Sequence, residues 1–259
     1  MTGAMPDGTY RMHMNGVNVA RGGTLGTFAD YNVFAAASCV KIAKDVPLDV
    51  ACLVGCGVPT GWGSAVHGAH VEPGDVVIVM GIGGVGANAL QGARHAGATR
   101  IIAVDLVASK EAHALKLGAT DFTTSIEEAT ELARSLTNGQ GADSAIVTIG
   151  VVAGDPIAQA FSAIRKAGTV VVTSQGPQSA EGIPINLFEL TMYQKRIQGV
   201  LYGTGGPRRE IPRLLSMYAA GQLRLDELIT ARYSLDEVND AYDDMRAGRN
   251  IRGVIDFPA

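Results

Sequence analysis

Aromatic side chains are scarce in this chain: they make up 5% of its 259 residues, with a single tryptophan, Trp62. That scarcity, beside 33 glycines, argues against a β-sandwich and for an α/β protein with tight turns and close helix–sheet packing. The three cysteines, Cys39, Cys52 and Cys56, form no disulfide framework. No block of like charge occurs, and the net charge of −4 provides no electrostatic attraction toward nucleic acid or an anionic membrane. No uninterrupted apolar run reaches bilayer-spanning length, and the opening Met1-Thr2-Gly3-Ala4-Met5 is not a signal peptide, so a soluble cytoplasmic protein is expected. What the chain does have is hydrophobic substance, 47% of its residues, enough for one large or two modest domains with a real core.

Residues 1–30 are polar and glycine-rich, with no sustained period. Residues 31–43 read as short strands joined by a turn, followed by helices over 48–55 and 60–70. From Val76 the pattern becomes regular. Val76–Met80 is a continuous apolar run, as expected of a strand buried on both faces. Further strands are predicted over 100–105, 121–123, 144–149, 168–173 and 197–202. Helices are predicted to about residue 96 and over 109–117, 126–137, 155–166 and 187–194. Six strands with intervening helices imply a doubly wound parallel sheet with right-handed crossovers. Helices over 208–220 and 235–247, the latter with Leu235, Val238, Tyr242 and Met245 on one face, precede a last strand over 253–257.

The segment Gly81-Ile82-Gly83-Gly84-Val85-Gly86 directly follows the first buried strand and opens a helix, and Asp105 ends the next strand, 19 residues after Gly86. A bare G-x-G-x-x-G is a weak signal; this context makes it a dinucleotide fingerprint. Gly81 permits the turn out of the strand, Gly83 leaves room for a pyrophosphate, and Gly86 lets the helix pack closely on the sheet. The helix amino end offers free N–H groups and a partial positive charge to the phosphates. Asp105 can accept hydrogen bonds from the adenosine ribose. Its charge repels a 2′-phosphate, and Leu106 and Val107 supply no arginine to bind one, so NAD is preferred over NADP. Two readings compete: a glycine turn and a strand-end aspartate with no ligand, and a methyltransferase sheet, which also places an acidic residue after its second strand.

Three stretches carry a family resemblance: 53–65 (LVGCGVPTGWGSA), 81–86 and 246–255 (RAGRNIRGVI). Together they resemble the zinc-dependent alcohol dehydrogenases of the medium-chain dehydrogenase/reductase superfamily, and among these the NDMA-dependent, nicotinoprotein subgroup. The resemblance runs from about Asp7 to Phe257. It implies a six-stranded Rossmann sheet over 59–203, a remnant of a GroES-like catalytic domain over 1–58, and C-terminal helices and a strand over 204–259 that complete both. It implies hydride transfer between a small alcohol, leaving as aldehyde or ketone, and NAD. By the same resemblance Cys56 matches the last of three catalytic-zinc ligands, and Thr60 and Val85 match residues beside the nicotinamide. Lys110 matches a lysine near the adenosine ribose. Ile149, Thr173, Ser174 and Gln175 match strand ends that meet the nicotinamide, and Arg252 matches an arginine on the pyrophosphate. Ser174 stands where a glycine is frequent and Gln175 where an apolar residue is frequent. A homodimer formed through the sheet edge at Gln198–Gly203 is a further implication.

The family pattern places the other zinc ligands, a proton-relay hydroxyl and a four-cysteine structural-zinc lobe in a preceding domain for which this sequence has no counterpart. A catalytic zinc needs three protein ligands and an open position. The expectation is therefore a chain that retains NAD binding but lacks most zinc ligands, whether as a fragment, a truncated gene or a mis-called start. Apolar surface left bare over 31–40 and 251–257 is expected to make it poorly soluble. A silent NAD-binding module and a zinc-free quinone-oxidoreductase-like reductase remain as alternatives, the latter disfavoured by Cys56. Among the remaining candidates, His67 and His70 are three apart and read as solvent-facing rather than as a metal pair; His13, His95 and His113 read as ordinary. Cys39 and Cys52 read as core residues, and Trp62 as packing.

Overall fold

The computed structural model describes residues 3–5, 7–20 and 26–257. Strands β1 (His13–Met14) and β2 (Val17–Asn18) form a short antiparallel pair on the surface. Helix α1 (Leu48–Ala51) runs through a tight turn into α2 (Gly57–Gly63), which widens into a π turn over Ser64–Gly68. The main body follows as β3 (Val76–Met80), α3 (Gly86–Ala96), β4 (Arg100–Val104), α4 (Glu111–Lys116), β5 (Asp121–Thr123) and α5 (Ile126–Leu136). It continues with β6 (Ala142–Val147), α6 (Gly154–Ala163), β7 (Ile164–Val172), α7 (Leu187–Met192) and β8 (Arg196–Gly199). Helix α8 (Pro207–Ala219), β9 (Ile229–Tyr233), α9 (Val238–Arg246) and β10 (Arg252–Ile255) complete the chain.

Strands β3 to β8 form one parallel sheet in the order β5-β4-β3-β6-β7-β8. All five residues of β3 are buried, which is what its unbroken apolar run requires at the centre of a sheet covered on both faces. Alternate side chains then feed two cores. Val77, Val79, Ile101, Ile146 and Val171 pack with Trp62, Leu90 and Leu214 on one side. Ile78, Met80, Ile102, Ala145 and Val147 pack with Ile126 and Phe161 on the other. Each fully buried side chain of this size contributes roughly 1.5–3 kcal/mol relative to exposure.

Local signals set the helix ends. Ser125 caps α5 by accepting from the Glu128 amide at 3.1 Å, and the buried Ile126, Ala129 and Ala133 lie on one face of it. Gly97, at φ 99°, terminates α3 in the left-handed conformation, donating back to Ala93 and Arg94.

Several expectations need correction. Residues 31–43 form no strand; the regular structure there is one 3-10 turn at Ala36–Ser38, and Tyr31 and Val33 stand 94% and 92% exposed. With no neighbouring strand to take their backbone groups, β-branched and aromatic residues do not make a ladder. Helix α6 stops at Ala163 instead of residue 166, because Ile164 is already extended and pairs with Ala142. A left-handed residue, Ala167 at φ 60°, then redirects the chain into the sheet. Strand β8 is shorter than expected and ends at Gly199. Strand β9 was not foreseen; it pairs in parallel with β10. Cys39 and Cys52 are exposed rather than in the core. In α9 Val238 is half-buried, but Tyr242 and Met245 are exposed beside a cleft of about 400 Å³ that also contains Phe28 and Phe257.

Candidate functional site

In a doubly wound sheet the cleft for a ligand lies outside the carboxyl ends of the strands where the strand order reverses. Here the chain leaves β3 toward β4 on one side and returns to β6 on the other, so that point lies beyond Met80 and Val147. The glycine loop occupies it. Gly81 takes φ 92°, and its ideal Cβ would lie 2.9 Å from the Ile149 amide nitrogen. A Cβ on Gly86 would collide with the Gly81 carbonyl oxygen, so this turn closes only without side chains. Gly83 is different: a Cβ there would meet nothing within 4 Å. Its missing side chain leaves free space over the loop. Gly84 and Val85 donate to no backbone acceptor among the described residues, and α3 begins at Gly86. From Ala87 the amides are committed, Ala87 donating to the Gly83 carbonyl at 2.9 Å and Asn88 and Ala89 to the Val85 carbonyl at 3.0 Å, so the open donors are those of Gly84 and Val85.

Asp105 stands beside the loop, half-buried. Its Oδ2 accepts from the Ile82 amide at 2.7 Å and from Lys110 Nζ at 2.8 Å, and its Oδ1 accepts from the Val107 amide at 3.0 Å. An ionised carboxylate has about four acceptor positions, so about one remains for a ligand hydroxyl. Lys110, which ends a 3-10 turn at Ala108–Lys110, stands beside it as a second polar group. On the opposite side Arg252, from β10, lies across the loop. A Cβ on Gly84 would strike its Cδ, and one on Gly57 would lie 3.8 Å from its Nη1. The sequence separates these residues widely; the structure brings an acid, a lysine, an arginine and a glycine-lined amide surface to one rim.

The far side of the cleft is made by α2 and the ends of β6 and β7. Gly61 lets α2 approach the loop, since a Cβ there would collide with the Val85 carbonyl. Thr60 donates its hydroxyl to the Cys56 carbonyl at 2.7 Å, turned into its own helix. Thr173 and Ser174 both donate their amides to the Val147 carbonyl, at 3.1 and 3.3 Å, and Ser174 Oγ adds a bond of 3.1 Å to the same oxygen. Gln175 is exposed and bridges in parallel to Val151. Two participants were missed in the sequence. Thr148 donates toward the Met80 and Gly81 carbonyls at 2.9 and 2.7 Å, tying β6 to the glycine loop. Ser64, fully buried, shares a 2.6 Å hydrogen bond with Thr173. Single hydroxyls give no periodic signal, so nothing in the local pattern marks them.

Cys56 is exposed at the amino end of α2, close enough to Tyr202 that, after burial itself, the thiolate's charge helps push the tyrosine hydroxyl's pKa upward. No group of three or more His, Cys, Asp or Glu that could hold a metal exists among the described residues. One thiolate does not fit a zinc ion, which needs three protein ligands. His67 does not face solvent as expected: it packs edge-on against the buried Trp62, with ring centroids 5.5 Å apart, and lies 3.7 Å from the buried Glu210. His70 is exposed.

This geometry has clear relatives. The description "Zinc-binding dehydrogenase" matches residues 84–220. An NDMA-dependent alcohol dehydrogenase from Amycolatopsis methanolica is 47% identical over 257 residues, covering 98% of this chain and 69% of that protein. The chain belongs to the zinc-binding dehydrogenase family. Alcohol dehydrogenase B of Mycobacterium tuberculosis, a further relative, is 46% identical over 254 residues, which is 98% of this chain and 68% of that one. Among solved structures, benzyl alcohol dehydrogenase from Acinetobacter calcoaceticus superposes with a TM-score of 0.76 at 32% identity, covering 84% of this chain and 59% of that one. An alcohol dehydrogenase zinc-binding domain protein from Burkholderia ambifaria gives 0.78 at 32% identity, over 85% and 58% of the two chains. This zinc-binding dehydrogenase chain thus spans less than two thirds of those solved chains. No helix among its described residues is long and apolar enough to cross a membrane.

Proposed function

We propose that this chain binds NAD(H) across the glycine loop and serves hydride transfer between a small-molecule alcohol and the nicotinamide, giving an aldehyde or ketone. The observation that carries the reading is the open position at Gly83, flanked by Asp105 and Lys110 on one side and Arg252 on the other. The pyrophosphate would lie on the Gly84 and Val85 amides just ahead of α3, with the Arg252 guanidinium pairing to it. Asp105 and Lys110 would hold the adenosine ribose, and the carboxylate favours NAD over NADP. The nicotinamide would then extend toward Thr60, Val85, Ile149 and the Thr173–Gln175 strand end. When bound, the cofactor supplies the hydride acceptor; the protein's share is to fix the ring and keep water away.

Zinc enters only through Cys56, and the described residues do not complete a site, so no step is assigned to the metal. The relatives' names, among them an NDMA-dependent alcohol dehydrogenase and a benzyl alcohol dehydrogenase, support an alcohol as the substrate class. Among the described residues strand β8 pairs with β7 alone and leaves one edge free, which supports a homodimer formed through that edge.

The test is titration of the purified chain with NADH, followed by nicotinamide fluorescence, with zinc content measured on the same sample. Saturable binding at micromolar NADH with zinc well below one per chain is expected. No binding at millimolar NADH would remove the reading.

A further inference from the structure

Ser64 opens the π turn that continues α2, four residues after Thr60; it has no exposed surface and reaches across to Thr173, just past the end of β7. Its Oγ lies 2.7 Å from the Thr60 carbonyl oxygen and 2.6 Å from Thr173 Oγ1. A carbonyl can only accept, so the single Ser64 proton goes to Thr60. The proton in the second bond must therefore come from Thr173. The order is fixed: the Thr173 hydroxyl donates to Ser64, which donates to the Thr60 backbone. The Thr173 amide is also committed, to the Val147 carbonyl at 3.1 Å. Thr173 thus has no donor left for a ligand and is held at both its side chain and its backbone.

The pair joins the two walls of the cleft on the side away from Asp105. A dinucleotide laid across the glycine loop with its adenosine at Asp105 places its other half on the β6–β7 side, between α2 and the end of β7. Ser64 is the tie between those two elements at that level. We infer that Ser64 is a positioning residue for the nicotinamide half of the cofactor, acting through Thr173 by holding the end of β7 at a set distance and rotation from α2. The inference rests on the cofactor reading above, and it assigns a task to a buried serine that touches no ligand.

The experiment compares two probes, NADH and ADP-ribose, on the full chain and on the variants Ser64→Ala, Thr173→Val, Thr173→Ser and the double variant Ser64→Ala/Thr173→Val. ADP-ribose carries the adenosine and pyrophosphate but no nicotinamide. Loss of one such buried bond is worth about tenfold in affinity. NADH binding is expected to weaken about tenfold in Ser64→Ala and Thr173→Val, with ADP-ribose affinity unchanged. Thr173→Ser, which keeps the hydroxyl but loses a methyl group, is expected to weaken NADH binding clearly less than Thr173→Val does, and the double variant to be no worse than either single one. A general structural role would weaken both probes or neither, and either result overturns the inference. Unchanged ADP-ribose affinity shows that a variant has folded; if Thr173→Val does not fold, Ser64→Ala against Thr173→Ser decides. If the parent chain binds ADP-ribose and NADH but the ratio does not move, only this inference falls. If the parent binds neither, the cofactor reading falls with it.

Discussion

Lys110 Nζ stands 2.8 Å from Asp105 Oδ2, and both side chains are largely buried beside the glycine loop. A buried pair of this kind is costly to break from one side, because the remaining charge loses its partner. Asp105→Asn keeps the shape but removes the charge that holds Lys110 and that the proposed reading sets against the ribose. NADH affinity is expected to fall about tenfold or more, the scale of a charged hydrogen bond. NADPH should weaken far less, since the repelling charge is gone. A titration in which both cofactors weaken equally would refute the ribose assignment.

Two glycines of the same loop should behave differently. Gly83 has free space where its Cβ would be, so Gly83→Ala should leave the urea midpoint within experimental error while blocking the approach of a pyrophosphate. Gly86 has the Gly81 carbonyl there, so Gly86→Ala should destabilise the fold by about 1–3 kcal/mol through overpacking. Parallel denaturation and NADH titrations separate the two effects. A destabilised Gly83→Ala protein would mean that the loop is closed rather than open.

Arg252 lies over Gly84 from a strand at the other end of the chain. Arg252→Gln should weaken NADH and ADP-ribose alike, by about tenfold, because the pyrophosphate is common to both. Raising ionic strength should narrow the gap between parent and variant. An effect confined to NADH would place the arginine elsewhere on the ligand.

Burial of His113 in α4 lowers its pKa below the ordinary 6.5, and nearby Lys116 lowers it further, against a weaker opposing effect of Glu227. The unfolded chain therefore takes up this proton first as pH falls. Stability is complete above about pH 6.5 and is lost as pH drops toward the folded pKa. Urea midpoints should decline more steeply from pH 7.5 to 5.5 in the parent chain than in His113→Leu. Identical slopes would show that the histidine titrates freely.

Much of the architecture was legible because it is written in local patterns. The five-residue apolar run of β3, the glycine spacing after it and the Ser125-capped periodicity of α5 each state their own conformation. Strand β9 was missed because ITARY carries little hydrophobic signal and is held by pairing with β10. The 31–43 segment misled for the converse reason: it has strand-forming residues but no partner strand.

From the sequence alone came the nature of the fold and the glycine loop after β3, since burial periodicity and glycine geometry depend on neighbours along the chain. The tertiary structure decided which distant groups share the cleft: Arg252 over Gly84, Thr148 on the Gly81 carbonyl, and Ser64 bonded to Thr173 across a separation of 109 residues. Those contacts exist only once the strands have been ordered in the sheet. Hydrogen-bond partners are chosen by three-dimensional proximity within a few ångströms, which no pattern of adjacent residues encodes.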